Sequence, residues 1–138
     1  MKRLEKGDSY WFISSIDYKV VPTHDWHFLT DDERFENGNY FTDPALAKKC
    51  AAQIDDEYGD QLEKLNAALN KCKEDFFKTA GELAEKAKKK TVQVETYVEV
   101  AKALAEAHTT YREKRLELNK QISEVKKDIE AIISSYTL

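Results

Sequence analysis

Glycine, proline and cysteine are scarce in this chain of 138 residues: four glycines, two prolines and two cysteines. Four glycines leave little backbone for anion cradles, and no Gly-rich phosphate loop, paired catalytic carboxylate motif or nucleophile elbow occurs. Cys50 and Cys72 lie on what reads as one helix, 22 residues apart. At a rise of 1.5 Å per residue they are roughly 33 Å apart, beyond disulfide reach, so free thiols in a reducing compartment are expected. No run of about 18 apolar residues occurs, which excludes a membrane-spanning helix. The opening Met1-Lys-Arg-Leu-Glu-Lys-Gly-Asp has early positive charge but no apolar stretch behind it, unlike a signal peptide. A cytoplasmic location is the expectation. Beyond Pro44 no proline interrupts the chain, so long helices are open to it.

What is present is helical periodicity. From Tyr97 to Tyr136 the series Tyr97, Ala101, Leu104, His108, Tyr111, Arg115, Leu118, Ile122, Val125, Ile129, Ile132, Tyr136 alternates steps of four and three. The mean of 3.5 is the period of a helix packed along one seam against another helix. A second stripe, Ala47, Ala51, Ile54, Tyr58, Leu62, Leu65, Leu69, Cys72, Phe76, Leu83, follows the cap signal Thr42-Asp43-Pro44. Folding the chain back at Lys89/Lys90 sets Phe76 against Leu104, Cys72 against His108 and Leu69 against Tyr111. An antiparallel hairpin over 43–138, with its turn near 88–92 and no break at Gly81, is therefore expected. Extra apolar residues beside the seam (Val98, Val100, Ala105, Ala107, Ile133) make a homodimeric bundle an option.

Residues 1–42 read differently. Ser9 to Val21 is rich in aromatic and β-branched residues, which suit a pleated surface. One strand is expected near 9–15 and a second near 17–22, ended by Pro22. The segment His24 to Asn39 reads as a loop holding at most a short helical turn. Asn37-Gly38-Asn39 signals a turn, and Tyr40-Phe41 a short final strand. The fold class is thus α+β: a small antiparallel β head of two to three strands, then a long antiparallel helical hairpin of the coiled-coil kind.

Lys6-Gly-Asp-Ser-Tyr-Trp-Phe-Ile, then Arg34-Phe-Glu-Asn-Gly-Asn-Tyr-Phe-Thr and Ala45 to Ala52, resembles the leader of many small phage and prophage proteins. There a K-G-x-x-Y-W/Y-x-I opening precedes a G-N-x-F-x-T-x-x-x-A element that enters a helix. The resemblance covers residues 1–55, implies a mobile-element setting, and carries no catalytic residue.

Charge narrows the partner. Residues 1–60 carry 7 Lys/Arg against 13 Asp/Glu, while 61–138 carry 15 against 13. An acidic head repels nucleic acid and suits a basic protein surface. Trp11, Trp26, His27, Phe28 and Phe35, with Asp31 and Asp32, are the candidate partner-binding residues, since aromatics anchor interfaces. Lys86, Lys88, Lys89 and Lys90 at the hairpin tip are a candidate contact for an anion or acidic partner. No aromatics interleave with these lysines, so nucleic acid is the weaker reading of them. His24 and His27 have metal-pair spacing, but a zinc site wants three or four ligands, and no metal or cofactor is assigned. Cys72 opposite His108 reads as seam packing before a thiolate–imidazole pair, and Arg115 as a seam residue whose guanidinium reaches Glu63 or Glu117. The expectation is a non-enzymatic protein-binding module, of the kind a phage uses to dock on and inhibit a host defence protein. A self-associating scaffold and a nucleic-acid binder acting through the lysine tip are the alternatives.

Overall fold

The structure, a computed structural model, describes residues 2–89 and 93–137. It is a two-stranded antiparallel sheet followed by long helices. Strand β1 (Ser9–Ile13) pairs with β2 (Val20–His24), with Tyr10 opposite Thr23 and Trp11 opposite Pro22. Helices α1 (Leu29–Asn37) and α2 (Pro44–Ile54) follow, then a π-helical turn at Asp55–Gly59, α3 (Asp60–Ala87) and α4 (Val94–Thr137). The chain divides into two compact units, residues 1–61 with 124–138, and residues 62–123.

In the first unit, Pro22 does not end β2; it sits inside it. Trp11 spends its own N–H and C=O on Phe41, at 2.8 Å each, so Trp11 and Pro22 form a pair with no hydrogen bond between them. The N–H that proline lacks would face the open edge, where none is needed. The expected third strand is reduced to that one bridge at Phe41. Asn39 extends it with a side chain: its Oδ1 accepts from Ile13 N at 2.8 Å and its Nδ2 donates to Ile13 O at 2.8 Å. One primary amide thus imitates a strand residue.

The loop expected over 24–39 is instead mostly α1. Its amphipathic signal is weak, because the helix is only nine residues long and buries chiefly Asp31. The turn at Asn37-Gly38-Asn39 forms, with Gly38 in the left-handed region at φ 80°. A Cβ there would lie 2.8 Å from Thr137 Oγ1 and 3.1 Å from Ser134 Cα, so glycine is required twice over. The close approach carries hydrogen bonds: Ser134 Oγ donates to Asn37 O at 2.9 Å and Thr137 Oγ1 to Gly38 O at 2.6 Å. The cap at Asp43 forms as its sequence implies, Oδ1 accepting from Ala45 N at 2.9 Å ahead of Pro44. Helix α2 then covers the sheet, and Tyr10, Ile13, Tyr40, Phe41, Ala47, Cys50, Ile54, Val125, Ile129 and Ile133 are buried. A two-stranded sheet is marginal alone, and these helices supply its missing apolar cover.

In the second unit, α3 runs through Gly81 without a break, and α4 lies antiparallel to it. The register differs from the expected one by about a helical turn. Phe76 stacks on Tyr111 (centroids 4.8 Å) and meets the edge of His108, rather than Leu104. The Cys72 thiol donates to the Tyr111 carbonyl at 3.8 Å rather than facing His108. The buried line of α4 is also rotated at this end: Val100 is buried and Ala103, Ala107 and Tyr111 are half-buried, whereas Tyr97, Ala101, Leu104 and His108 are exposed. Aromatic bulk explains the change. Phe76 and Tyr111 fill the space between the helices, and only small side chains fit opposite the next turns. Arg115 sits over the Tyr111 ring, 5.3 Å from its centroid, as a cation–π contact. Of the expected turn at 88–92, residues 90–92 lie outside the described residues.

Candidate functional site

The head is organised around two buried carboxylates, and both serve the loop between β2 and α1. Asp25 follows that strand directly and is fully buried. It accepts Arg3 Nε and Nη2 at 2.9 and 3.0 Å, the Tyr40 hydroxyl at 2.5 Å and His27 N at 2.9 Å. Asp31, in the first turn of α1, accepts the Tyr10 hydroxyl at 2.6 Å, Trp26 N at 3.1 Å and Phe28 N at 3.2 Å. Three successive backbone N–H groups, at 26, 27 and 28, are therefore held by two buried side chains. An acid in the first turn reaching back to the residue before a helix is half of a capping box.

The pedestal beneath is aromatic. Tyr10 and Tyr40 stack at 4.2 Å between centroids, Phe35 meets Tyr40 edge-on at 5.3 Å, and Arg34 lies 3.6 Å from the Phe12 ring centroid. Arg34 also donates to the Tyr10 hydroxyl at 3.1 Å. Each tyrosine hydroxyl thus gives its proton to a carboxylate while accepting from a nitrogen, Leu4 N in the case of Tyr40. The Arg3 guanidinium, followed by the Tyr40 and His27 hydrogen bonds, holds the Asp25 carboxyl well below the usual carboxylate range, against the opposing effect of burial. Burial, then the Asp25 hydrogen bond, raises the Tyr40 phenol; burial and Asp31 raise that of Tyr10. Among the described residues no buried side-chain polar atom is left without a partner.

What this pedestal carries is apolar and exposed. Trp26 is 46% exposed, Phe28 66% and Leu29 73%. His27 between them adopts φ 57°, a left-handed conformation that a non-glycine residue holds only when its surroundings fix it. Its N–H to Asp25 does that, and its ring Nε2 lies 3.3 Å from Leu4 O.

The seven head residues singled out from sequence are thus distributed as follows. Trp26, His27, Phe28, Asp31 and Asp32 converge at the loop and the start of α1. Phe35 is half-buried against Tyr40, and Trp11 half-buried in β1. Asp31 is turned inward and acts on the loop from below. Asp32 pairs with Arg3 Nη1 at 2.6 Å. Leu29, Asp25 and Arg3 escaped the sequence reading. Asp31, three residues after Phe28, was the signal for a helix start that would have exposed Leu29.

His24 Nδ1 lies within 3.3 Å of Ser9 Oγ and 3.2 Å of Gly7 O, so that ring nitrogen is engaged by the head itself. In the second unit Lys86, Lys88 and Lys89 are at or near the end of α3 and share it with Glu82 and Glu85; Lys88 Nζ lies 3.6 Å from Glu85. Lys90 lies outside the described residues. A concavity of about 750 Å³ opens between Phe12, Arg34, Asn39, Lys127, Glu130 and Ile133, and its lining carries charges of both signs. No family model, no curated protein and no solved structure matches this chain.

Proposed function

We propose that this chain is a non-enzymatic protein-binding module whose recognition element is the loop Trp26–Leu29. The observation that carries the reading is the contrast between exposure and constraint. Three large apolar side chains face solvent, and the backbone N–H groups at 26, 27 and 28 that lead into them are each held by a buried carboxylate. Exposed apolar surface costs solubility and marks interaction sites. A pre-set loop loses little conformational freedom on docking, so more of its burial appears as affinity. Aromatic anchors ringed by polar groups are the usual composition of an interface centre. The acidic balance of the head favours a partner with an apolar pocket and a basic rim. In the mobile-element setting that the leader resemblance implies, the partner class is a host protein, with inhibition of a defence function as the concrete role.

The test is affinity capture from host lysate with wild type and with Phe28→Ala/Leu29→Ala. Both side chains are exposed, so the variant should keep its melting temperature. The expected outcome is a partner recovered by wild type and lost with the variant. Recovery of the same proteins by both, or of none by wild type, overturns the assignment.

A further inference from the structure

We infer that two copies of this chain associate antiparallel along the outer face of α4, about a two-fold axis at Ala105. The inference rests on α4 alone and does not depend on loop 26–29. In residues 62–123, Phe76 and Tyr111 turn α4 so that Val100, Ala103 and Ala107 face inward. On the opposite side lies a second stripe, Val98, Ala101, Ala105, Thr109 and Arg112, with Val94 and Leu116 at its ends. All seven are exposed, Val98 at 63% and Leu116 at 60%. Positions of one helix face recur every three or four residues, and these steps run 4, 3, 4, 4, 3, 4.

That order of steps reads the same from either end, which is what a two-fold antiparallel pairing demands: the same patch must complement itself when reversed. Centred on Ala105, Val94 falls opposite Leu116 of the second copy, Val98 opposite Arg112, Ala101 opposite Thr109, and Ala105 opposite itself. The small residues sit at the axis, where two helices approach most closely, and the large ones at the ends.

The charges agree with this register. Arg112 lands beside Glu95 and Glu99 of the second copy, Lys102 beside Glu106, and Arg115 beside the exposed Tyr97 ring. A parallel pairing would set Arg112 against Arg112 and Glu99 against Glu99, placing like charges together. Tyr97, Val98, Leu104 and Leu116, 39–63% exposed, together with Val94 offer roughly 400 Å² of apolar surface per copy. That is about half of the ~800 Å² each partner buries in a standard interface, a proportion that suits an apolar centre with a charged margin.

Sedimentation of the full chain across a concentration series tests the inference. Wild type should pass from monomer to dimer. Val98→Glu should weaken the dimer at least about tenfold, with an unchanged far-UV circular dichroism spectrum because the side chain is exposed. Glu95→Arg/Glu99→Arg and Arg112→Glu/Arg115→Glu should each weaken self-association, and an equimolar mixture of the two should form a heterodimer. A wild-type monomer at every concentration up to about 1 mM overturns the inference. So does a dimer indifferent to Val98→Glu, or a charge-swapped mixture that does not recover pairing.

Discussion

Replacing Asp25 with asparagine keeps the shape of the head and removes one charge from its centre. The wild-type carboxylate accepts four hydrogen bonds, two of them from Arg3, and is fully buried. Asparagine offers one acceptor oxygen, and its Nδ2 must point at a donor, either Arg3 or the Tyr40 hydroxyl. Hydrogen bonds to a charged group contribute about 1.5–3 kcal/mol each, and breaking a buried pair costs about 3–5 kcal/mol. Arg3 is 26% exposed and already shares its guanidinium with Asp32, so it retains a charged partner and solvent. The lower end, about 3 kcal/mol, is therefore expected. With a urea slope of about 2 kcal/mol/M, the midpoint falls by about 1.5 M. Both tryptophans, Trp11 and Trp26, lie in the unit formed by residues 1–61 and 124–138, so fluorescence follows that unit specifically. The sign with pH provides a second check. The folded-state pKa of Asp25 is depressed, so its stabilisation is complete above the unfolded value near 4 and is lost as pH falls toward the folded one. Wild type should lose about 1.4 kcal/mol per pH unit below pH 4 from this group, a loss Asp25→Asn does not share. The gap between the two proteins must narrow between pH 4 and pH 2. An unchanged midpoint at pH 7, or a gap of constant size down to pH 2, refutes the account of the pedestal.

Other consequences follow from single contacts. Gly38→Ala places a Cβ at φ 80° and 2.8 Å from Thr137 Oγ1, and should destabilise by roughly 2–3 kcal/mol in the same fluorescence titration. Asn39→Ala strips Ile13 of both backbone partners and should cost about 2 kcal/mol; Asn39→Asp, which cannot donate to Ile13 O, should not restore it. The Cys50 thiol is fully buried and pushed up to about 11 by burial, so at pH 8 only about 0.1% would be thiolate. It should stay unmodified by an aromatic disulfide reagent until the chain unfolds, and rapid native-state labelling would contradict its placement. The Tyr40 phenol has a raised folded-state pKa, so its stabilisation is complete below pH 10 and lost above it. Tyr40→Phe should show a smaller fall in stability than wild type as pH rises past 10.

Much of the architecture was legible in the sequence because it depends on local chemistry. Asp43-Pro44 starts α2 by local chemistry, since the cap oxygen and the missing proline N–H each suit a first turn. The 118–136 stripe stays inward, with Ile122, Val125 and Ile129 buried, because β-branched residues at helical spacing have one apolar face to hide. Asn37-Gly38 made its turn for the same local reason. Where the reading failed, a distant residue had decided the outcome. Helix α1 is held by Asp31 to Tyr10 and by Gly38 to Thr137, partners 21 and 99 positions away that no window of sequence contains.

The same division applies to function. Sequence alone determined that the head is aromatic and acidic, that long helices follow, and that two stripes of 3.5-residue spacing run along them, because composition and period are properties of the chain itself. Tertiary structure decided which stripe faces inward, since that depends on how Phe76 and Tyr111 fill a shared space. It also decided which aromatics are core and which are offered to solvent. Tyr10, Tyr40 and Phe35 satisfy their edges and hydroxyls inside, while Trp26 and Phe28 are turned outward by hydrogen bonds to Asp25 and Asp31. A carboxylate looks alike in sequence whether it is a surface charge or a buried anchor; only the donors that fold around it make the difference.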